Sequence, residues 1–250
     1  MKKEERKNRI IQLVSSNSDE TIENLAVELN VSEMTIRRDL LELEKENLII
    51  KTRNSILLKS SFIYEIPFAT KQFSHTEEKK EIAEKAVKLI RPNEVVLLDS
   101  GTTTFEIGRL LKYVDYTVTV MTNDIKIAAE MVDSNHRVMI FGGEVQKDTG
   151  SIYGVHTMDL LEKVKVNVSF VGAAALSIED GVFSPTFEKA KIKSLMIKAS
   201  DRSWLVTDSS KVNSSSFVKV CDFGELDGII TDNRIAEVDK IKLDSITRLI

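Results

Sequence analysis

Apolar residues recur with helical spacing in three short segments at the start of the chain. Across residues 9–14, Ile10, Ile11, Leu13 and Val14 follow that period, and Ser15, Ser16, Asn17 and Ser18 break it. Thr21 then stands where an N-cap belongs, before a helix whose Ile22, Leu25, Ala26 and Leu29 share one face. Asn30 follows, a residue that tolerates the left-handed conformation of a tight helix end. Ser32 caps a third helix, from Glu33 to about Glu46. Two short helices joined through an Asn corner read as a helix-turn-helix. Leu48 to Thr52 and Ile56 to Leu58 read as two strands around Arg53, Asn54 and Ser55, which makes a hairpin wing. The pattern predicts a winged helix-turn-helix over residues 1–59 and a linker over residues 60–75, with Pro67 inside it.

From Thr76 the rhythm becomes an alternation of helices and short apolar strands. Helices are predicted over residues 76–90, 104–111, 124–131, 154–161 and 187–199. Strands are predicted over 94–98, 117–120, 137–140, 166–171, 204–206 and 228–231. Such alternation argues for an α/β domain with a mostly parallel sheet, here over residues 76–250.

A chain of 250 residues has room for about two domains, in line with this division. The longest apolar runs, such as Val95 to Leu98, are far too short to cross a bilayer, and the charged start leads into no signal-peptide apolar core. The single cysteine, Cys221, excludes an intrachain disulfide and reads as a small buried thiol. A cytoplasmic location is expected. The net charge of −4 does not advertise nucleic-acid binding, and the first sixty residues carry no obvious excess of either sign. DNA binding therefore has to rest on where individual Lys and Arg side chains sit, because phosphate contact is local charge neutralisation.

The third helix places them. At about 100° per residue, Ile36, Leu40 and Leu43 fall on one side, and Met34, Thr35 and Arg38 on the other, with Arg37 on the flank. An apolar stripe inward and Thr and Arg outward near the N-terminal end suit insertion into the major groove. Arg37 and Arg38 can bond guanine or clamp phosphate, and the sequence does not apportion these roles. Lys51 and Arg53 on the wing suit backbone or minor-groove contact. The run from Val31 to Leu40, VSEMTIRRDL, resembles the VSxxTIRRDL signature of the DeoR family of bacterial repressors. The resemblance adds Ser32 to the DNA-facing set. At the wing the family continues with a glycine and a basic His-Gly-Gly-Ala stretch. This chain has Glu46-Asn47-Leu48 and Lys51 to Ser55 instead, so the family's wing contacts are not carried over.

In the second domain, Asp99-Ser100-Gly101-Thr102-Thr103 follows an apolar strand and opens a helix. Free backbone N–H groups, the helix dipole and hydroxyl side chains favour an anion there, although simple helix capping reads equally well from this loop alone. Similar loops recur at later strand ends: Thr122-Asn123, Gly142-Gly143, Gly172-Ala173 and Asp208-Ser209-Ser210-Lys211. In open α/β sheets, ligands bind beyond the carboxyl ends of strands. Lys211 reads either as a cation for a phosphate or sugar acid or as a solvated loop lysine.

The domain again resembles the DeoR family, whose DSGTT, TN, GG and DSSK loops occur in this order. The resemblance implies a sensor fold similar to ribose-5-phosphate isomerase and a phosphorylated sugar or related intermediate as effector. It carries phosphate contact onto Ser100, Gly101, Thr102 and Thr103, beside Asp99. It carries pocket lining onto Thr122, Asn123, Gly142, Gly143 and Lys211, and a less defined role onto Glu188.

The rival reading is a sugar-phosphate isomerase carrying a helix-turn-helix. Aldose–ketose isomerisation needs a carboxylate base, and enzymes of that type place one in a Gly-Ala-Asp segment after a central strand. The corresponding stretch, Gly172 to Ala175, holds none, although Asp99, Asp208 and Glu188 remain near the pocket. No enzyme activity, cofactor or metal is expected. His75, His136 and His156 are dispersed, and no P-loop or G-x-S-x-G elbow occurs. A pure interaction module would turn the third helix into a dimer face, which Thr35 and Arg38 opposite the core stripe disfavour. A double-stranded DNA operator, a phosphorylated effector and a second copy of the chain are the expected partners, with no membrane. One small head buries too little DNA for high specificity, hence the oligomer.

Overall fold

The computed structural model describes residues 3–16, 21–45, 48–51, 56–58 and 67–250. The chain divides into two compact units, residues 1–66 and 67–250.

The first unit holds α1 (Lys3–Ser16), α2 (Ile22–Glu28), α3 (Glu33–Lys45) and a hairpin of β1 (Ile49–Lys51) and β2 (Ile56–Leu58). The hairpin is antiparallel, with Ile50 opposite Leu57. Thr21 caps α2 by accepting the Asn24 N–H at 3.2 Å, and Asn30 turns the corner at φ 51°. Ser32 Oγ accepts the Thr35 N–H at 3.3 Å, so the sequence-predicted caps are in place. Ile10, Leu25, Ile36, Leu40 and Leu43 meet in a core closed by Ile49 and Ile56 of the hairpin. Arg53 and the rest of the expected wing tip lie outside the described residues, as does the Lys51 side chain.

The second unit opens with α4 (Phe68–Gln72), which lies within the expected linker. Residues 60–66 of that linker are outside the described residues, but from Pro67 the chain is part of the α/β unit. The physical reason is Phe68: it is buried, it meets the Phe105 ring edge-on at 5.6 Å, and its N–H bonds the Asp148 carbonyl. The elements continue as α5 (Thr76–Val87), β3 (Val95–Leu98), α6 (Thr102–Leu111), β4 (Thr119–Thr122), α7 (Ile125–Met131), β5 (Arg137–Ile140), β6 (Glu144–Val145), β7 (Ile152–Tyr153) and α8 (Val155–Leu161). Then come β8 (Val168–Gly172), β9 (Ala175–Ser177), β10 (Gly181–Ser184), α9 (Phe187–Ala199), β11 (Ser203–Val206), β12 (Val218–Cys221), β13 (Gly228–Ile230) and α10 (Glu237–Asp244).

Six of these strands form a parallel sheet in the order β13-β11-β8-β3-β4-β5. Its inner strands are buried on both faces, as parallel sheets require, while the edge strand β5 leaves Met139 and Ile140 exposed. Val96, Leu98, Val120 and Phe170 pack against α5, α6 and α7, while Leu97, Met121, Val171 and Leu205 pack against α8 and α9. Gly108 lets α6 and α7 approach, since a Cβ there would sit 3.2 Å from Ile127. Strand order reverses between β3 and β8: the chain runs from β3 outward to β4 and β5, then returns beside β3 as β8. That is the topological switch point, the place where open α/β sheets bind their ligands.

Two features were not foreseen. A second, antiparallel sheet of order β12-β10-β9 packs beside α9, and β6 pairs with β7 in a small hairpin. These strands are two to four residues long, too short for a period to register. Cys221 ends β12, buried as expected, and burial pushes its thiol up to about 12.

Candidate functional site

In the first unit, α3 presents the expected face. Ile36, Asp39, Leu40 and Leu43 are buried, whereas Met34 is 74% exposed and Arg37 and Arg38 are exposed. Thr35 is half-buried and shares a hydrogen bond of 3.0 Å with Ser32. Arg37 pairs with Glu33 one turn earlier at 3.3 Å, while Arg38 makes no hydrogen bond among the described residues. The Arg38 charge instead lies near Glu42 one turn later and helps lower that carboxyl.

Sequence reasoning passed over what holds this helix. Asp39 is 0% exposed, and its carboxylate receives Arg6 of α1 through Nε at 2.5 Å and a second guanidinium nitrogen at 3.2 Å. The fork-to-fork geometry is the strong form of the pair. Its hydrogen bonds raise the Arg6 pKa against the effect of burial. The signal was present in the sequence: Asp39 lies three residues after Ile36 and one before Leu40, on the buried stripe, where a lone carboxylate demands a partner.

In the second unit, the loop after β3 is built around Asp99, Ser100 and Gly101. Asp99 Oδ2 accepts the Gly172 N–H at 3.0 Å and pairs with Lys193 of α9. Ser100 Oγ shares a hydrogen bond of 2.8 Å with Ser151 Oγ, and Thr104 donates back to the Gly101 carbonyl at 3.0 Å. α6 begins at Thr102, two residues earlier than expected, so Thr102 and Thr103 form its first turn. No side chain caps that end, which leaves its first N–H groups pointing out of the helix. Gly101 is extended, and a Cβ there would touch only Thr104 Oγ1, at 3.5 Å.

Thr122 and Asn123 differ from their expected place on the pocket wall. β4 runs two residues further than expected, so Thr122 ends the strand and accepts the Asp124 N–H at 3.1 Å. Asn123 is 1% exposed and is bonded to Ile152 through both side chain and backbone. Asn123 thereby ties the β6–β7 hairpin to the end of β4. Gly142 is open, with nothing within 4 Å of where a Cβ would stand, and its carbonyl accepts Thr157 Oγ1 at 2.8 Å. Gly143 is required by geometry: at φ +156° a Cβ would lie 2.2 Å from the Tyr153 carbonyl.

At the end of β11, Asp208 is buried and accepts from Ser210, while Lys211 is half-buried. Burial pushes the Asp208 carboxyl up, but the Lys211 charge and the Ser210 hydroxyl outweigh it and leave the value lowered. Lys79 of α5, also missed from sequence, faces the same group. Burial brings it down to about 8 despite Asp208, and its ammonium bonds the carbonyls of Lys71 and Ser74 at the end of α4. Glu188 is exposed in the first turn of α9, and its charge is felt at Tyr153.

Asp124, the N-cap of α7, is fully buried after the end of β4. Its Oδ1 accepts the Lys126 and Ile127 N–H groups, and its Oδ2 has no partner among the described residues. Burial pushes its carboxyl up to about 6, opposed by those N–H groups and the Lys126 charge and aided by Asp99. The folded protein therefore holds this proton more tightly than the unfolded chain does. This contribution to stability is complete at pH below the unfolded value and is lost as pH rises toward about 6. Asp124→Asn keeps a cap acceptor and removes the charge. We expect it to gain on the order of 1–3 kcal/mol over wild type in denaturant melts at pH 8, and clearly less at pH 5. Equal gains at both pH values would contradict this.

A helix-turn-helix head followed by an α/β domain with polar loops at its strand ends is the plan of a ligand-responsive DNA-binding regulator. The chain belongs to the DeoR family: residues 6–62 match the DeoR-like helix-turn-helix domain and residues 74–233 the DeoR C terminal sensor domain. It is 32% identical to the HTH-type transcriptional regulator GlpR of Haloferax volcanii, over 96% of this chain and 94% of that protein. It is 29% identical to the lactose phosphotransferase system repressor of Staphylococcus epidermidis, over the full length of both. Among solved structures, a ribose 5-phosphate isomerase A from Methanocaldococcus jannaschii is similar at 16% identity, with a TM-score of 0.43 over 56% of this chain and 55% of that one. The protein is thus a transcriptional regulator with a DNA-binding head and a small-molecule sensor domain, and the isomerase alternative is set aside. No helix among the described residues is long and apolar enough to cross a membrane.

Proposed function

We propose that the protein represses sugar-metabolism genes from the cytoplasm, binding its operator as a homo-oligomer and releasing it when a phosphorylated sugar or related intermediate occupies the strand-end crevice. In this reading the head ends near residue 59, and Ser32, Met34, Thr35, Arg37 and Arg38 of the recognition helix face DNA, with Lys51 and Arg53 on the wing. The phosphate sits on Ser100, Gly101, Thr102 and Thr103, and Gly142, Gly143, Glu188 and Lys211 line the remaining edge. The observation that carries the reading is the uncapped N-terminus of α6 at the sheet's switch point, flanked by hydroxyls. The effector lowers DNA affinity to the extent that it binds the low-affinity state better.

The test is a paired substitution, Thr102→Val with Gly101→Ala. The backbone at Gly101 accepts a Cβ without strain, so the added methyl fills ligand space and leaves the fold intact. DNA affinity should match wild type, while the response to the sugar phosphate that acts on wild type should fall at least tenfold. An unaltered response would move the phosphate elsewhere.

A further inference from the structure

The two edges of the parallel sheet are finished differently. The outer edge of β13 is covered by the end of the chain: Ile229 donates to the Arg248 carbonyl at 2.8 Å, and Ile250 donates to the Ile229 carbonyl at 2.9 Å. Among the described residues nothing covers the other edge, β5. Arg137 and Phe141 donate to Val118 and Thr122 on the β4 side. In the alternation of a strand, the N–H and C=O groups of Val138 and Ile140 then face away from β4. No backbone hydrogen bond among the described residues reaches them. The side chains beside this open edge are apolar on both faces. Met139, in register with buried Met121, is 38% exposed, and Ile140, on the opposite face, is 47% exposed. An edge strand that stays free in water is commonly guarded by lysine, proline or a bulge. β5 has none of these: its pairing with β4 is regular, and its one charge is Arg137 at its start.

We propose that two copies of the chain join along β5, as an antiparallel pair centred on Met139. This rests on the homo-oligomer of the proposed function and gives it a surface. In that register Val138 of each copy faces Ile140 of the other, and each such pair exchanges both of its N–H···O bonds. Met139 faces the same residue of the second copy, in the non-hydrogen-bonded position where side chains lie closest. The open groups are thus complementary to themselves, which is what a two-fold interface requires. Charge favours the same arrangement. Arg137 begins β5, is exposed and makes no ion pair among the described residues, while exposed Glu144 follows the strand's other end. An antiparallel copy turns the Arg137 end of each strand toward the Glu144 end of the other, whereas a parallel copy would set like ends together. A pair joined in this way carries two heads, as an operator of two half-sites demands.

Sedimentation velocity of the full chain over a concentration series, wild type against Met139→Lys, tests the interface. The variant sets two ammonium groups against each other at the centre of the pair, and its dissociation constant should rise on the order of 100-fold. Circular dichroism should show the fold unchanged, because Met139 is exposed in the single chain. A second variant needs no added charge. Met139→Cys should link two chains on a non-reducing gel after mild oxidation, since facing Cα atoms there lie about 4.5 Å apart, within disulfide reach. Arg137→Cys, which faces Phe141 of the second copy in this register, should not. Cys221 is buried with its thiol pushed up to about 12, so it should stay reduced in both. An assembly that Met139→Lys leaves intact, or a Met139→Cys chain that does not link, overturns the β5 interface and leaves the oligomer to another surface. A wild type that sediments as a monomer at every concentration would remove the homo-oligomer from the proposed function, and this interface with it.

Discussion

Arg38→Ala should abolish specific operator binding while leaving the fold and effector binding as they are. The side chain is exposed and makes no hydrogen bond among the described residues, so its removal leaves the core of the head as it is. A bidentate base contact contributes about 1–3 kcal/mol. Two heads on a two-half-site operator double this to about 2–6 kcal/mol, or roughly 30-fold to beyond 10,000-fold in affinity. Fluorescence anisotropy at fixed salt reads the loss, and thermal melting confirms the unchanged fold. Arg37→Ala should cost less, because Arg37 already holds Glu33 and part of any DNA contact is spent on breaking that pair. Normal operator affinity in the Arg38 variant would remove α3 as the reading helix.

Asp39→Ala should also end DNA binding, but by unfolding the head. It leaves the Arg6 guanidinium buried without a partner, and removing one member of a buried pair costs about 3–5 kcal/mol. That equals the whole stability a small hydrophobic core of fewer than about 70 residues commonly supplies. The expected result is loss of the head's cooperative melting transition while the α/β unit melts as in wild type, since the two units have separate cores. The double variant Arg6→Met with Asp39→Leu removes both charges and should restore the head transition. The two substitutions thus separate a residue that touches DNA from one that positions the helix bearing it. An unchanged head transition in Asp39→Ala would show that the pair contributes little.

The head was legible because its signals are local. The Thr21 and Ser32 caps, the Asn30 corner and the stripe of Ile36, Leu40 and Leu43 each depend on neighbours within a few residues. The parallel sheet was legible for the same reason, through runs such as Val95 to Leu98 that are apolar on both faces. What escaped is long-range or short-lived along the chain. Arg6 meets Asp39 across 33 positions and Lys193 meets Asp99 across 94, and no spacing rule links such partners. Helix α4 reads as linker from sequence because five residues cannot show a helical period. Thr122 and Asn123 were placed on the pocket wall by the order of the loops. Thr122 is buried as the last residue of an inner strand, and Asn123 because the β6–β7 hairpin bonds it, a long-range contact the sequence announces only through Gly143.

The measurement that bears most directly on the whole proposal is anisotropy of the full chain on labelled DNA from upstream of its own and neighbouring genes, titrated with salt and then with sugar phosphates. Tight binding whose logarithm falls with log salt, and which a single phosphorylated sugar weakens at saturation, is the expected result. DNA affinity that no sugar phosphate alters at saturating concentration would contradict the sensor assignment.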